Sequence, residues 1–202
     1  MTVTDKDAKE LQKMIDKLEK QSKKDKEKEK KKQLDKPKKK WYISTMNIFY
    51  LDKDPVVAAQ MSCDKHVVKM ILESAQMLCT AKRVLDGTEY TDLTKNGRKI
   101  KRWRLENSNL EQTIYKAGWL GHPSTQWVMA SAYNYIWLYK HMMALNEEYK
   151  LRYNHTKDHL CIQKLGEVLS TPPTNAPINV MGTDATPAMP DECKVPGDVV
   201  AS

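Results

Sequence analysis

Cysteine, glycine and long apolar runs are all scarce in this chain of 202 residues. The four cysteines are widely separated, at Cys63, Cys79, Cys161 and Cys193. This spacing contains no CxxC pair and no metal finger, so we expect reduced thiols and no disulfide framework. No window approaches the ~18 consecutive apolar residues of a membrane span, and no apolar signal core is found at the N-terminus. We therefore expect a protein of the cytoplasm.

Motifs that hold phosphates, metals or activated nucleophiles are also missing. The sequence has no Walker loop, no GxGxxG, no GxSxG and no paired catalytic carboxylates. His155 and His159 have the i, i+4 spacing of metal ligands, but they have no third ligand nearby and no HExxH glutamate. We therefore expect neither a metal ion nor another cofactor.

Positive charge is concentrated at one end of the chain. The net charge is +8, and residues 1–40 contribute 16 lysines against 9 acidic residues. Residues 41–202 are close to neutral, with 18 basic side chains against 17 acidic ones. The first 40 residues also have too little apolar surface to offset the cost of ordering the chain. We expect them to form a disordered or fraying helical arm, an electrostatic tether for a polyanion.

The remaining residues, 41–202, predict a single mainly α domain. Helix starts are marked by Asp54-Pro55, by the capping box Ser108-x-x-Glu111 and by His122-Pro123. Asn96-Gly97 marks a tight hairpin within residues 91–104. We predict about four helices, a short N-terminal strand within 41–51 and an irregular, proline-rich strap over 171–202. The helices are expected over about 55–83, 108–118, 124–153 and 156–169.

The helix predicted over 55–83 carries a polar stripe on an otherwise apolar surface. At 100° per residue one narrow arc holds Lys65, His66, Lys69, Glu73, Gln76, Thr80 and Arg83. A stripe on a largely buried helix must face water, a cleft or partner groups. His66, Lys69 and Glu73 could supply proton transfer or an anion clamp and are our candidate catalytic residues. The alternative is a solvated structural stripe.

A second cluster is basic and lies on the predicted hairpin. Its members are Lys95, Arg98, Lys99, Lys101, Arg102 and Arg104, with Trp103 among them. Such dense charge suits phosphate contacts, and an indole can stack on a base. We predict nucleic-acid binding here, although lysines also protect a hairpin edge from strand pairing.

Two further features are weaker. His122 and Ser124 lie at a helix start, where free N–H groups can bind a phosphate, so we add them to the predicted nucleic-acid contacts. The helix over 124–153 has an apolar stripe with core spacing. His141 beside it is expected to be a hydrogen-bonded boundary residue.

Three stretches resemble an uncharacterised family of tailed-phage proteins, especially of marine phages. They are MNIFYLDKDPVVAAQMSCDKHVVKMILESAQMLCTAKRVLDG, KNGRKIKRWRL and HPSTQW…NYIWLY. The resemblance covers about residues 46–190. Its members begin near Met46, which makes the lysine-rich arm an added extension and implies activity inside an infected host cell.

The order of motifs is also similar to that of pyrimidine dimer DNA glycosylases. In both, a short N-terminal run precedes a polar-striped helix and then an HP helix start with a nearby aromatic residue, here Trp127. The resemblance implies attack on the sugar by an N-terminal α-amine with help from a glutamate. Here 45 residues precede Met46, and Glu73 is the only acid on the stripe beyond its start. Lys69 could form the Schiff base instead.

Together these features favour a phage-type DNA-processing protein, a DNA glycosylase or lyase acting on damaged or modified DNA. The hairpin would hold the DNA and the stripe would act on it. Two alternatives stay open. One is a non-enzymatic nucleic-acid-binding module, and the other is a phage protein that binds a host factor or a nucleotide. The oligomeric state is not predicted.

Overall fold

The structure, a computed structural model, describes residues 47–187 and 191–201. The lysine-rich arm and residues 41–46 of the predicted strand lie outside these residues. The described part of the chain is mainly α, as predicted. Its elements are α1 (Pro55–Met61), α2 (Asp64–Asp86), β1 (Thr88–Leu93), β2 (Lys99–Arg104), α3 (Ser108–Thr113), α4 (Pro123–Ala130), α5 (Ala132–Arg152), α6 (Leu160–Leu169) and a 3₁₀ turn at Asp191–Cys193.

The single helix predicted over 55–83 is two helices, α1 and α2. The Asp54 carboxylate caps α1 by accepting hydrogen bonds from the backbone of Val56 and Val57. The chain then turns extended at Ser62 and Cys63. The backbone oxygen of Ser62, left without a helical partner, accepts a 2.6 Å hydrogen bond from Arg152 of α5. The break is therefore stabilised by a residue far away in sequence.

The helix predicted over 124–153 is also divided, at Ser131. Ser131 is extended, and its hydroxyl caps α5 by accepting from Tyr133 N–H at 3.1 Å. The same hydroxyl donates to the Val180 oxygen at 2.8 Å, and Ala132 N–H donates to the Pro177 oxygen at 2.9 Å. The C-terminal strap thus supplies the partners that allow this helix to break. With the break between α1 and α2, the described part of the chain has six α-helices where about four were predicted.

Smaller differences concern the ends of elements. Residues 47–51 form no strand. The N-cap of α3 is Asn107, whose side chain accepts from Leu110 N–H at 3.0 Å, so the Ser108 capping box was wrong. Glu111 accepts a side-chain hydrogen bond from Arg83 instead. The α3 helix ends at Thr113, and α6 begins only at Leu160.

The hairpin pairs β1 and β2 in antiparallel register from Thr88 opposite Arg104 to Leu93 opposite Lys99. Gly97 has the left-handed φ of 71° that its turn requires. Side chains alternate between the two faces of the ribbon, and Trp103 points into the body of the protein with 8% of its surface exposed.

The core lies mainly between α2 and α5, with α4 and α6 packed around them. Its largest fully buried aliphatic and aromatic side chains are Met70, Ile71, Met77, Leu78, Tyr135, Leu138, Met142, Leu145, Leu165 and Leu169. Within the residues described, no helix is both long enough and apolar enough to cross a bilayer.

Arg83 fastens the C-terminal half of α2 to the hairpin and to the loop that follows α3. Its Nε donates to the Tyr115 oxygen at 2.6 Å, and Nη1 donates to the Trp103 oxygen and to the Glu111 carboxylate. Its Nη2 donates to the backbone oxygens of Glu111 and Ile114. All five donors of the guanidinium are therefore used, in a side chain that is 3% exposed.

His141 lies in the core of α5 and is not the hydrogen-bonded boundary residue that the sequence suggested. It is 1% exposed, and neither ring nitrogen has a hydrogen-bond partner in the described structure. Its ring stacks on Trp137 with a centroid distance of 5.1 Å. Burial lowers the pKa of His141 to about 4.

This buried imidazole predicts a loss of stability in acid. The folded protein takes up the proton near pH 4 and the unfolded chain near 6.5, so the contribution is present above pH 6.5 and is lost as the pH falls toward 4. The free energy of unfolding therefore falls by about 3 kcal/mol over this range, at about 1.36 kcal/mol for each pH unit. Urea unfolding of His141→Leu between pH 7 and pH 4.5 should show a shallower fall than wild type. An equally steep fall would contradict this assignment.

Candidate functional site

The carboxylate of Glu73 is the centre of the candidate site. Glu73 is 4% exposed and lies on the face of α2 that meets the N-terminal segment, residues 47–50. Its Oε1 lies 3.1 Å from Nζ of Lys69, one turn earlier on the helix. Its Oε2 accepts a hydrogen bond from the backbone N–H of Asn47 at 3.0 Å. A buried carboxylate thus holds one amine and one main-chain nitrogen.

The segment 47–50 runs along the first part of the polar stripe. Phe49 stacks on His66 with ring centroids 4.0 Å apart and nearly parallel. The Lys69 side chain remains 53% exposed, so its amine is open to solvent and to a substrate. The three residues predicted to be catalytic therefore share one surface, together with Asn47.

His122 approaches this surface from the start of α4. Its Nδ1 caps the helix by accepting from Ser124 N–H at 3.2 Å. Burial lowers the pKa of His122, and the negative charge of Glu73 opposes that shift. Glu73 therefore acts electrostatically on His122. Ser124 is 2% exposed and its N–H is already bound, so burial separates it from a phosphate in solution.

The second half of the stripe has a structural role. The Thr80 hydroxyl contacts both the backbone oxygen and the N–H of Gly118, at 3.3 and 3.2 Å, and Arg83 binds the Tyr115 oxygen. The loop 114–122 therefore runs antiparallel to α2, from Arg83 past Thr80 to the vicinity of Glu73. Only the part of the stripe before Thr80 is left for a site.

An aromatic cavity of about 340 Å³ opens beside the N-terminal segment. Tyr50 and Trp137 form part of its wall, with ring centroids 4.7 Å apart, and Trp127 meets Trp137 edge to face at 5.8 Å. The Tyr50 hydroxyl donates to Asp184 at 3.1 Å, and burial together with that carboxylate raises the pKa of Tyr50 to about 12. Tyr50 is three residues from Asn47, so the Cα atoms of these two residues lie within about 11 Å of each other by chain reach.

Five of the six cations on the hairpin are exposed, but three of the six already contact other groups of the protein. Lys101 pairs with Glu89 at 2.9 Å, Arg102 donates to the Ala117 oxygen at 3.4 Å, and Arg104 lies over the ring of Tyr90. Trp103 is buried and has no open face for a base to stack on. Lys95, Arg98 and Lys99 lie at and next to the turn and are also exposed.

Residues 46–160 match the family described as pyrimidine dimer DNA glycosylase. The chain belongs to this family. The matched region contains the whole Glu73 surface and starts one residue before Asn47. Membership indicates a glycosylase-like role on damaged DNA, with DNA as the substrate. Comparison with curated proteins and with solved structures found no significant match.

Sequence reasoning missed two residues at or beside the candidate site. Asn47 contributes through its main chain, which leaves no pattern in side-chain composition. Tyr50 was assigned to a strand and lines a cavity instead. In the described part of the chain, no cluster of three or more His, Cys, Asp or Glu side chains is arranged to hold a metal ion.

Proposed function

We propose that this protein is a DNA glycosylase with lyase activity, acting on damaged bases in DNA. The observation that carries the proposal is the buried carboxylate of Glu73 with the Lys69 amine at 3.1 Å and the Asn47 nitrogen at 3.0 Å. A carboxylate beside an amine can take the amine's proton and return it to a leaving group. An amine freed of its proton is the nucleophile that forms a Schiff base.

The proposed reaction takes place at C1′ of the damaged nucleotide. The amine nitrogen forms a bond to C1′ while the glycosidic C–N bond breaks, and the base leaves with a proton. Opening of the sugar gives an imine between C1′ and the nitrogen. Removal of a proton from C2′ then breaks the C3′–O bond and expels the 3′ phosphate, and hydrolysis of the imine by water releases the amine. Glu73 is assigned the proton transfers. His66 positions the N-terminal segment through Phe49.

Two nitrogens compete for the role of nucleophile. Lys69 is a primary amine in the full-length chain. Asn47 N is a peptide nitrogen that becomes an α-amine only when the bond to Met46 is cut. The family resemblance implies an α-amine, and the 3.0 Å contact with Glu73 favours Asn47. We therefore propose Asn47 as the nucleophile of a chain that begins there, and Lys69 as that of the uncut chain.

Borohydride trapping distinguishes the two nitrogens. The full-length protein and a chain beginning at Asn47, each with and without Lys69→Ala, are incubated with duplexes that contain a pyrimidine dimer or an abasic site. We expect an adduct with full-length protein that Lys69→Ala loses, and an adduct with the shortened chain that survives Lys69→Ala. Peptide mapping of the adduct locates the modified residue. The absence of any adduct or strand cleavage in all forms would overturn the proposal.

A non-enzymatic nucleic-acid-binding module is the second candidate, favoured by the exposed Lys95, Arg98 and Lys99. It would bind DNA with a steep dependence on salt and form no adduct. For either function we propose that the protein acts in the cytoplasm of a phage-infected cell, as the resemblance to tailed-phage proteins implies.

A further inference from the structure

Trp119 has an unusual position in the loop 114–122. Its φ is 55°, in the left-handed region that side chains larger than glycine rarely adopt, and 50% of its surface is exposed. The neighbouring glycines have the opposite character. Neither Gly118 nor Gly121 has a positive φ, and a Cβ added to either would meet nothing within 4 Å. Trp119 therefore has the strained backbone conformation, whereas the neighbouring glycines do not.

The turn that presents Trp119 is held firmly at both ends. The Gly118 N–H donates to the Thr80 hydroxyl at 3.2 Å. The Trp119 oxygen accepts from His122 N–H at 2.9 Å, and the Leu120 oxygen accepts from the Gln126 amide. A strained backbone conformation of this kind persists only when the surrounding structure enforces it. Such strained residues are concentrated at functional sites.

The basic side chains near the exposed Trp119 ring suit a nucleic acid, which is a polyanion with planar bases. Three residues beyond Trp119 is His122, whose pKa the Glu73 charge affects. On the other side, Arg102 reaches the Ala117 oxygen, so the basic hairpin lies next to this loop. Lys116, the residue before Ala117, is exposed. The bare glycines leave the indole open to close approach by another polymer.

We propose that Trp119 is a base-stacking residue that inserts against an unpaired or lesion-flanking base of duplex DNA while the hairpin cations hold the phosphates. This inference rests on the proposed function only in taking DNA as the ligand. An indole face provides stacking energy for any base, and a lesion lowers the cost of unstacking. The buried Trp103 cannot serve this purpose, so Trp119 takes the role that the sequence pattern suggested for Trp103.

Binding without chemistry tests the proposal. Full-length protein and variants are titrated into a labelled duplex that contains a stable tetrahydrofuran abasic analogue, and anisotropy is measured at several salt concentrations. Trp119→Ala should weaken binding by roughly 5- to 100-fold. It should leave the salt slope unchanged, because no charge is removed. The Trp119→Phe variant should retain most of the affinity, whereas Trp119→Leu should not.

Two controls separate stacking from charge and from folding. Replacing Lys95, Arg98 and Lys99 together by glutamine should lower the magnitude of the salt slope by up to about 3. Trp119→Gly relieves the strained φ, so its thermal midpoint should equal or exceed that of wild type. Its loss of binding therefore cannot come from unfolding.

The possible results test the stacking role of Trp119 separately from the proposed glycosylase activity. Trapped adducts with wild type, together with unchanged binding by Trp119→Ala or full binding by Trp119→Leu, would overturn the stacking role alone. Loss of binding by Trp119→Ala in a protein that forms no adduct would support the stacking role and overturn the glycosylase. A wild-type protein that binds no duplex at low salt would overturn both.

Discussion

Glu73→Gln is expected to slow adduct formation by about 10²- to 10⁴-fold, the usual contribution of a positioned general acid or base. Glutamine keeps an oxygen for Asn47 N–H to bind, and the shape of the side chain is unchanged. It cannot accept a proton from an amine, and it cannot hold the Lys69 ammonium as an ion pair. Because the packing survives, the free energy of unfolding should change by no more than about 1 kcal/mol.

The matched control is Glu148→Gln. Glu148 also pairs with a cation one turn along its helix, Arg152 at 2.8 Å, and is also largely buried. Both variants lose the same kind of ion pair, but Glu148 is not part of the Glu73 surface. Single-turnover trapping with an abasic duplex should show the loss only for Glu73→Gln. If the two variants formed the adduct at equal rates, Glu73 would have no chemical role.

Arg83→Met is expected to lower the free energy of unfolding by about 3–5 kcal/mol, the effect of removing one partner of a buried ion pair. The methionine fills part of the space but leaves four backbone oxygens and one carboxylate without the guanidinium donors they had. Arg83→Lys should be almost as harmful, because an ammonium cannot reproduce the planar fork. Urea unfolding followed by circular dichroism measures both.

Arg152→Met provides the comparison for Arg83. Arg152 makes a similar set of hydrogen bonds, to Glu148, Asp64 and the oxygens of Ser62 and Gln60. Its side chain is 23% exposed, against 3% for Arg83, so water can replace lost partners. We expect a cost of about 1–2 kcal/mol. If Arg83→Met were no more destabilising than Arg152→Met, burial of the guanidinium would not be the cause.

The sequence alone predicted the features that depend on periodicity and local turn chemistry. The mainly α class, the hairpin at Asn96-Gly97 and the shared face of His66, Lys69 and Glu73 all follow from spacing. These features need no knowledge of distant parts of the chain.

What sequence reasoning could not reach depends on long-range partners. The breaks at Ser62 and Ser131 are stabilised by Arg152 and by the strap, which lie up to 90 residues away. Trp103 and Trp119 look alike in sequence, but only the structure shows which indole is buried. The Asn47 contact uses a main-chain atom, which no side-chain pattern reports.

The loop 114–122 also limits how this protein can change over evolution. Its contacts with Arg83 and Thr80 and its approach to Glu73 are spaced along about 15 Å of α2, at 1.5 Å per residue. Most surface loops tolerate insertions. In this loop an insertion or deletion of one residue would shift His122 along α2 and away from its position near Glu73. Among related chains we expect the length of this loop to be kept even where its sequence is not.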